Sequence, residues 1–333
     1  MFGIIRHITP ESKGWDATLW FALRGAGGNN FGVVTNITFA MEDAPKKTVI
    51  FRLQYSTVDD CAHALHTFTQ LGSLPADADG GISTLLSGQF QASGLEPEVC
   101  TLYGMYMGSV DEFNKTLSTY TARLSANGVY YNTTQTTITE YDDDYLGGLD
   151  DIMEQFGGLN DTGTFYLSLY AQGLADNGVY NMTLDSAKAI MYSLVASQPP
   201  DRSYLVYPQF SLSGPGSATA RPPRYGDMAF THTTNIFVSQ IFALGFPPQY
   251  TPAYWEGVGR VTYFVDAMRA VDPTQKYQSY QNYMVCMISL PLPLPLPLLL
   301  PYWNSPLPIL YRTHIYRTGP LLIMGRMWNV SRK

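Results

Sequence analysis

Thr18–Thr38 reads TLWFALRGAGGNNFGVVTNIT, and the order of its parts decides what can be built from it. Leu19, Trp20, Ala22 and Leu23 carry apolar surface at helical spacing, which predicts a short amphipathic helix ending at Arg24-Gly25. Gly25, Gly27 and Gly28 permit positive φ and close backbone approach, and Asn29 and Asn30 tolerate the same region. Phe31–Phe39 is β-branched and aromatic-rich, so a strand is predicted there. A dinucleotide fingerprint runs strand, glycines, helix, so that phosphates meet a helix N-terminus. Here the order is helix, glycines, strand. No Lys-Ser/Thr follows the glycines either, so the Rossmann and P-loop readings both fail.

From Trp20 to Thr35 the stretch resembles the W-A-L-R-G-(G/A)-G-(G)-N-F-G-(I/V)-V-T segment of berberine-bridge-enzyme-like FAD oxidoreductases. It departs from that pattern by an inserted Phe21 and a doubled Asn. In the family this segment lays its backbone along the flavin, and amides free of side chains are what such an approach needs. The resemblance implies FAD as cofactor, with contacts from Gly25, Gly27, Gly28, Asn30, Gly32, Val33 and Val34. It also implies a PCMH-type FAD-binding fold of the vanillyl-alcohol-oxidase-like superfamily, of fungal type. The bland alternative is a tight helix-to-strand connection that touches nothing.

A second match is Tyr280-Gln-Asn-Tyr283, which resembles the Y-x-N-Y segment that returns to the flavin in the same family. The resemblance makes Tyr283 the base that takes the substrate hydroxyl proton as hydride leaves for the flavin. Tyr280 then binds substrate and Asn282 lies beside the cofactor. A free tyrosine titrates near pH ~10, so this role needs a neighbour that stabilises the phenolate. Met228-Ala-Phe-Thr-His232 resembles the A-F-x-H-R segment, with Thr233 in place of Arg. The family reading puts His232 at the substrate cavity, and a hydrogen-bonded structural histidine is the other reading.

Composition narrows the partners. The net charge of −7 argues against nucleic acid or an anionic membrane. Twenty-four Tyr against 20 Lys+Arg favours a polar-aromatic cavity over a charged one. The partners expected are a small-molecule substrate and oxygen. Cys61, Cys100 and Cys286 allow one disulfide and match no zinc spacing. Asp59, His63 and His66 share a helix face and read as its wet side rather than a metal site, and Asp142-Asp-Asp144 reads as a solvated turn. No Gly-x-Ser-x-Gly elbow is present. Sequons at Asn36, Asn114, Asn132, Asn160, Asn181 and Asn329 lean towards a secretory protein, as in the family, although residues 1–10 are no signal peptide.

Organisation follows from the periodicities. Val49, Phe51, Leu53 and Tyr55 alternate, predicting a strand buried on one face, and Ser56–Asp59 reads as the cap of a helix running to Gly72. Strands are expected over Ile82–Phe90, Val99–Met107, Thr164–Ala171, Tyr204–Leu212 and Asn235–Ala243. Helices are expected from Ser109 to Asn127, over Leu184–Ala196 and over Tyr254–Val271. The fold class is α+β. Residues 1–46 are the C-terminal part of a FAD-binding domain, and 47–276 a substrate domain with an antiparallel sheet covered by helices. Residues 277–284 return to the flavin, and 285–333 form a low-complexity tail expected to be disordered.

That tail opens on Leu290–Pro301, alternating Leu and Pro, which excludes helix, central strand and a membrane span. Val285-Cys286-Met287 is compatible with a translated splice donor, so an aberrant tail read through an intron is expected. Nothing before Thr18 resembles the family's pyrophosphate loop or flavin-attachment residue. The sequence is therefore expected to begin late, and the chain alone to hold FAD weakly. Two function classes result: a FAD-dependent oxidase of a hydroxylated small molecule, sugar or secondary metabolite, and a non-catalytic fragment that keeps only the substrate domain.

Overall fold

The structure is a computed structural model that describes residues 4–26, 31–39, 41, 43–72, 74, 85–96, 98–155, 165–172, 182–212, 229, 237–244, 251–271 and 276–278. Its centre is one eight-stranded sheet: β1 (Lys47–Tyr55), β2 (Leu86–Leu95), β3 (Glu98–Tyr106), β4 (Thr137–Asp142), β5 (Phe165–Gln172), β6 (Leu205–Leu212), β7 (Phe237–Leu244) and β8 (Lys276–Gln278). The strands lie in the order β4-β1-β3-β2-β6-β7-β5-β8, and neighbours pair antiparallel throughout. Among the described residues six helices accompany it: α1 (Trp15–Leu23), α2 (Val58–Gly72), α3 (Val110–Ser125), α4 (Tyr145–Gln155), α5 (Leu184–Ser197) and α6 (Pro252–Val271). An α+β fold with an antiparallel sheet under helices is what the sequence predicts, and it is what the chain forms.

One face of the sheet is apolar. Phe51, Leu53 and Tyr55 of β1, Phe90 of β2, Leu102 of β3 and Phe210 of β6 are buried there. Phe51 and Phe113 of α3 stack with ring centroids 4.8 Å apart, and Phe210 meets Phe237 edge-on at 5.4 Å. A disulfide joins Cys61 of α2 to Cys100 of β3, clipping the helix layer to the sheet. β3 also runs close against β2 at Gly104, where a Cβ would lie 2.0 Å from the Ser87 carbonyl oxygen. Any side chain at Gly104 would push the two strands apart.

Helix ends follow local chemistry. Ser109 and Glu112 form a reciprocal capping box on α3, as predicted. On α2 the cap falls one residue later than predicted: Asp60 N–H donates to Thr57 Oγ1 at 3.0 Å, so Thr57 rather than Ser56 starts the helix. Thr183 caps α5 through Ser186 N–H at 3.0 Å.

Two expectations are corrected and one is extended. β1 is buried on both faces, with Thr48, Ile50 and Gln54 covered as well as the Phe51 row. The cause is α4, which packs on the second face so tightly that a Cβ on Gly148 would stand 3.0 Å from Thr48 Oγ1. Second, the Asp142–Asp144 turn is solvated as expected, all three residues being exposed, and it also starts a helix. Asp144 Oδ1 accepts from Gly147 N–H at 3.0 Å and opens α4, while Asp143 takes a φ of 51°. Third, Phe31–Phe39 is no strand. Among the described residues none lies alongside it to complete a ladder, and β propensity cannot act without a partner strand. Within the described residues no helix is long and apolar enough to cross a membrane.

Candidate functional site

The sheet's second face is polar at its centre. Side chains alternate along strands, so the residues between Phe90, Leu102 and Phe210 point away from the helices α2 and α3. Register then aligns them across four boundaries: Gln54 opposite Thr101, Thr101 opposite Gln91, Gln91 opposite Gln209, and Gln209 opposite Gln240. The adjoining row carries Arg52, Tyr103 and Gln89. Gln54, Thr101, Tyr103 and Gln209 are buried, although all are polar. Buried polar groups persist only when hydrogen-bonded, and Tyr103 and Gln209 are bonded to each other.

Tyr103 is the hub. Its hydroxyl accepts from Gln91 Nε2 and, at 3.1 Å, from Gln209 Nε2, and it donates to Gln89 Oε1. The Tyr207 hydroxyl donates to Gln91 Oε1, extending the network to β6. A phenol can donate once and accept twice, so Tyr103 is saturated and the glutamine amides are held in fixed orientations. Burial, with Tyr207 close by, pushes the Tyr103 phenol well above the ordinary tyrosine range, against a small lowering by the Gln91 bond. Tyr103 therefore stays protonated and orients rather than removes protons. Oriented amides and phenols without a carboxylate among them suit a neutral, hydroxyl-rich ligand.

The glycine stretch lies outside the sheet. Gly25 has φ 121° and Gly32 φ 131°, conformations that side-chain-bearing residues rarely adopt, so both glycines are required where the sequence has them. Val33 and Val34 are exposed, at 89% and 53%. Arg24, which ends α1, folds back over the Trp20 ring at 4.6 Å. Among the described residues nothing hydrogen-bonds to 31–39, so its amides are available to a group read by backbone alone. These features fit a flavin contact. The Ala229 N–H donates to Phe21 C=O at 3.2 Å, tying α1 to the chain just before the segment that carries His232. Gly27, Gly28, Asn30, His232, Tyr280, Asn282 and Tyr283 lie outside the described residues, as does the tail from 285.

Asp59 is exposed on α2, and His63 and His66 are half-buried. Asp59 Oδ1 accepts from the Tyr192 hydroxyl at 3.3 Å and faces Lys188 Nζ at 3.9 Å, both on α5. The glutamine–tyrosine network escaped the sequence reading, which scored the apolar positions of each strand and passed over the polar ones between. Its signal is the period-two pattern Ser87-Gln89-Gln91-Ser93 and Tyr207-Gln209-Ser211.

Set beside solved structures, the chain resembles xylooligosaccharide oxidase from Myceliophthora thermophila C1 in complex with xylobiose, at TM-score 0.55 and 19% identity over 80% of this chain and 52% of that one. The fold is shared with carbohydrate oxidases. The glucooligosaccharide oxidase of Acremonium strictum, which carries a 6-S-cysteinyl, 8α-N1-histidyl FAD, matches at TM-score 0.53 and 13% identity, over 73% of this chain and 48% of that one. The Physcomitrella patens BBE-like 1 protein matches at 0.52 and 16%, over 73% and 47%. This chain spans about half the length of the structures it matches. At these identities the likeness establishes the fold alone. No protein-family model matches the chain, and no characterised protein sequence does.

Proposed function

We propose that this protein is a FAD-dependent oxidase of a carbohydrate, in which residues 47–276 bind the sugar and residues 1–46 and 277–284 face the cofactor. The observation that carries the reading is the Tyr103 network: a saturated phenol orienting Gln89, Gln91 and Gln209 on a sheet of the carbohydrate-oxidase fold. Sugar hydroxyls both donate and accept, and side-chain amides match both roles. FAD would be held by Gly25, Gly27, Gly28, Asn30, Gly32, Val33, Val34 and Asn282. When bound it supplies hydride acceptance, with oxygen as the final oxidant. Tyr283 takes the proton of the reacting hydroxyl, and Tyr280 and His232 line the substrate.

The test is a peroxide assay on the protein supplied with FAD, using xylobiose and other short oligosaccharides, alongside calorimetric titration of the same sugars. Sugar-dependent peroxide is expected, with the Michaelis constant raised in Gln91→Leu. Failure of every sugar to bind would overturn the proposal. A second reading is sugar binding without oxidation, which rests on the Tyr103 network alone. Binding without peroxide, and without retention of FAD through dialysis, would select it.

A further inference from the structure

Two N-glycosylation sequons flank the outermost strand of the sheet. β4 stands first in the strand order and pairs with β1 along one side, so among the described residues its other edge is open main chain. An open edge offers unpaired N–H and C=O groups to any other chain. Asn132-Thr-Thr134 lies in the turn that enters β4, where Asn132 N–H donates to the Gln54 carbonyl at 2.7 Å. Asn132 Oδ1 accepts from Thr134 Oγ1 at 2.7 Å and from Thr134 N–H at 3.0 Å. The threonine hydroxyl thus already sits on the amide it would help to polarise. Asn132 Nδ2 donates to Gln135 Oε1 at 3.1 Å, and a glycosylated nitrogen keeps one hydrogen for that bond. Asn114 of the Asn114-Lys-Thr116 sequon is exposed on α3, whose first residue, Val110, donates its N–H to Glu140 Oε1 of β4 at 3.4 Å. One sequon therefore lies in the turn before β4, and the other begins four residues along α3 from the residue bonded to Glu140, near the strand's far end.

A separate observation places the chain where such sequons are used. Cys61 and Cys100 form a disulfide with both sulfurs buried, and stable disulfides of this kind belong to oxidising compartments. N-glycan transfer occurs in the secretory one. We propose that Asn114 and Asn132 carry N-linked glycans and that these shield the open edge of β4. In the transfer, Asn Nδ2 forms a bond to the anomeric carbon of a lipid-pyrophosphate-linked oligosaccharide. The carbon–oxygen bond to pyrophosphate breaks, the pyrophosphate leaves with the electron pair, and one amide proton passes to the transferase. Asn36, also described and exposed, lies in the stretch assigned to the cofactor and is outside the proposal. The glycans would be present whether or not the protein is an oxidase.

The full chain is secreted from a eukaryotic host and digested to peptides, which are then deglycosylated by an amidase in heavy-oxygen water. Conversion of Asn114 and Asn132 to heavy aspartate is expected, and unconverted asparagine at both sites overturns the modification. Trimming the glycans from the folded protein with an endoglycosidase tests the shielding without any folding step. The trimmed protein should form concentration-dependent oligomers by light scattering, and one that stays monomeric overturns the shield. Thr134→Val, which removes the Asn132 glycan but keeps the asparagine, should shift the same equilibrium in the same direction. An unshifted equilibrium counts against the proposal.

Discussion

Gln209 Nε2 reaches across β2 to donate to the Tyr103 hydroxyl at 3.1 Å, joining strands two places apart in the sheet. Tyr103→Phe deletes the hub and leaves the Gln91 and Gln209 donors and the Gln89 acceptor without it. An unpaired buried polar group costs about 1–3 kcal/mol, so the variant should be less stable by roughly that much in denaturant unfolding. It should also bind oligosaccharide on the order of tenfold more weakly, because the amides lose their fixed directions. A variant that loses stability but binds sugar unchanged would separate the network from recognition.

The disulfide gives a second measurement. Cys61 and Cys100 are 39 residues apart, and closing a loop of that size in the unfolded chain stabilises the fold by about 4 kcal/mol in the chain-entropy picture. Replacing both by alanine should lower unfolding free energy by up to that amount and make stability insensitive to reductant. If wild-type stability is already the same with and without reductant, the bridge does not form in solution.

His66 sets a pH dependence. Burial, then repulsion from His63, lowers its pKa from 6.5, opposed by a hydrogen bond involving the Met182 backbone. A lowered histidine pKa means the unfolded chain binds the proton first on acidification. This stability is fully present above about pH 6.5 and is lost as pH falls through the lower folded value. His66→Gln should flatten the stability profile between about pH 7.5 and 5 relative to wild type. Parallel profiles would place the acid sensitivity in other groups.

What could be read in advance was local. The α3 capping box and the Phe113–Leu124 stripe are signals within one helix, and they survive because no distant partner is needed. β4, with TITEYD half exposed on an edge, offers little apolar alternation to read. Gly147-Gly148 argues against a helix until Thr48 is seen lying against it. Phe31–Phe39 shows the opposite failure, strong propensity with no described neighbour to pair with. For the site, the positive φ at Gly25 was legible from residue type, whereas Gly32 stood inside a predicted strand. The contact of Gln209 with Tyr103 spans 106 residues and depends on register through an intervening strand, which no local pattern encodes.

Two tyrosines compete for the role of base, and their environments separate them. Burial and the nearby Tyr207 hold the Tyr103 phenol protonated far above neutrality, and its one proton is committed to Gln89. Tyr103→Phe should therefore raise the Michaelis constant while leaving the pH dependence of kcat in place. Tyr283, assigned through the Tyr280–Tyr283 segment, carries the opposite expectation. If Tyr283 is the base we propose, Tyr283→Phe removes a group that acts in the transition state, so kcat should fall by about 10²–10⁴-fold with a small change in sugar affinity. Steady-state kinetics across pH on the flavin-loaded protein, with both variants in parallel, makes the comparison. Loss of the kcat pH dependence in Tyr103→Phe, with Tyr283→Phe unaffected, would move the base onto the sheet and overturn the assignment.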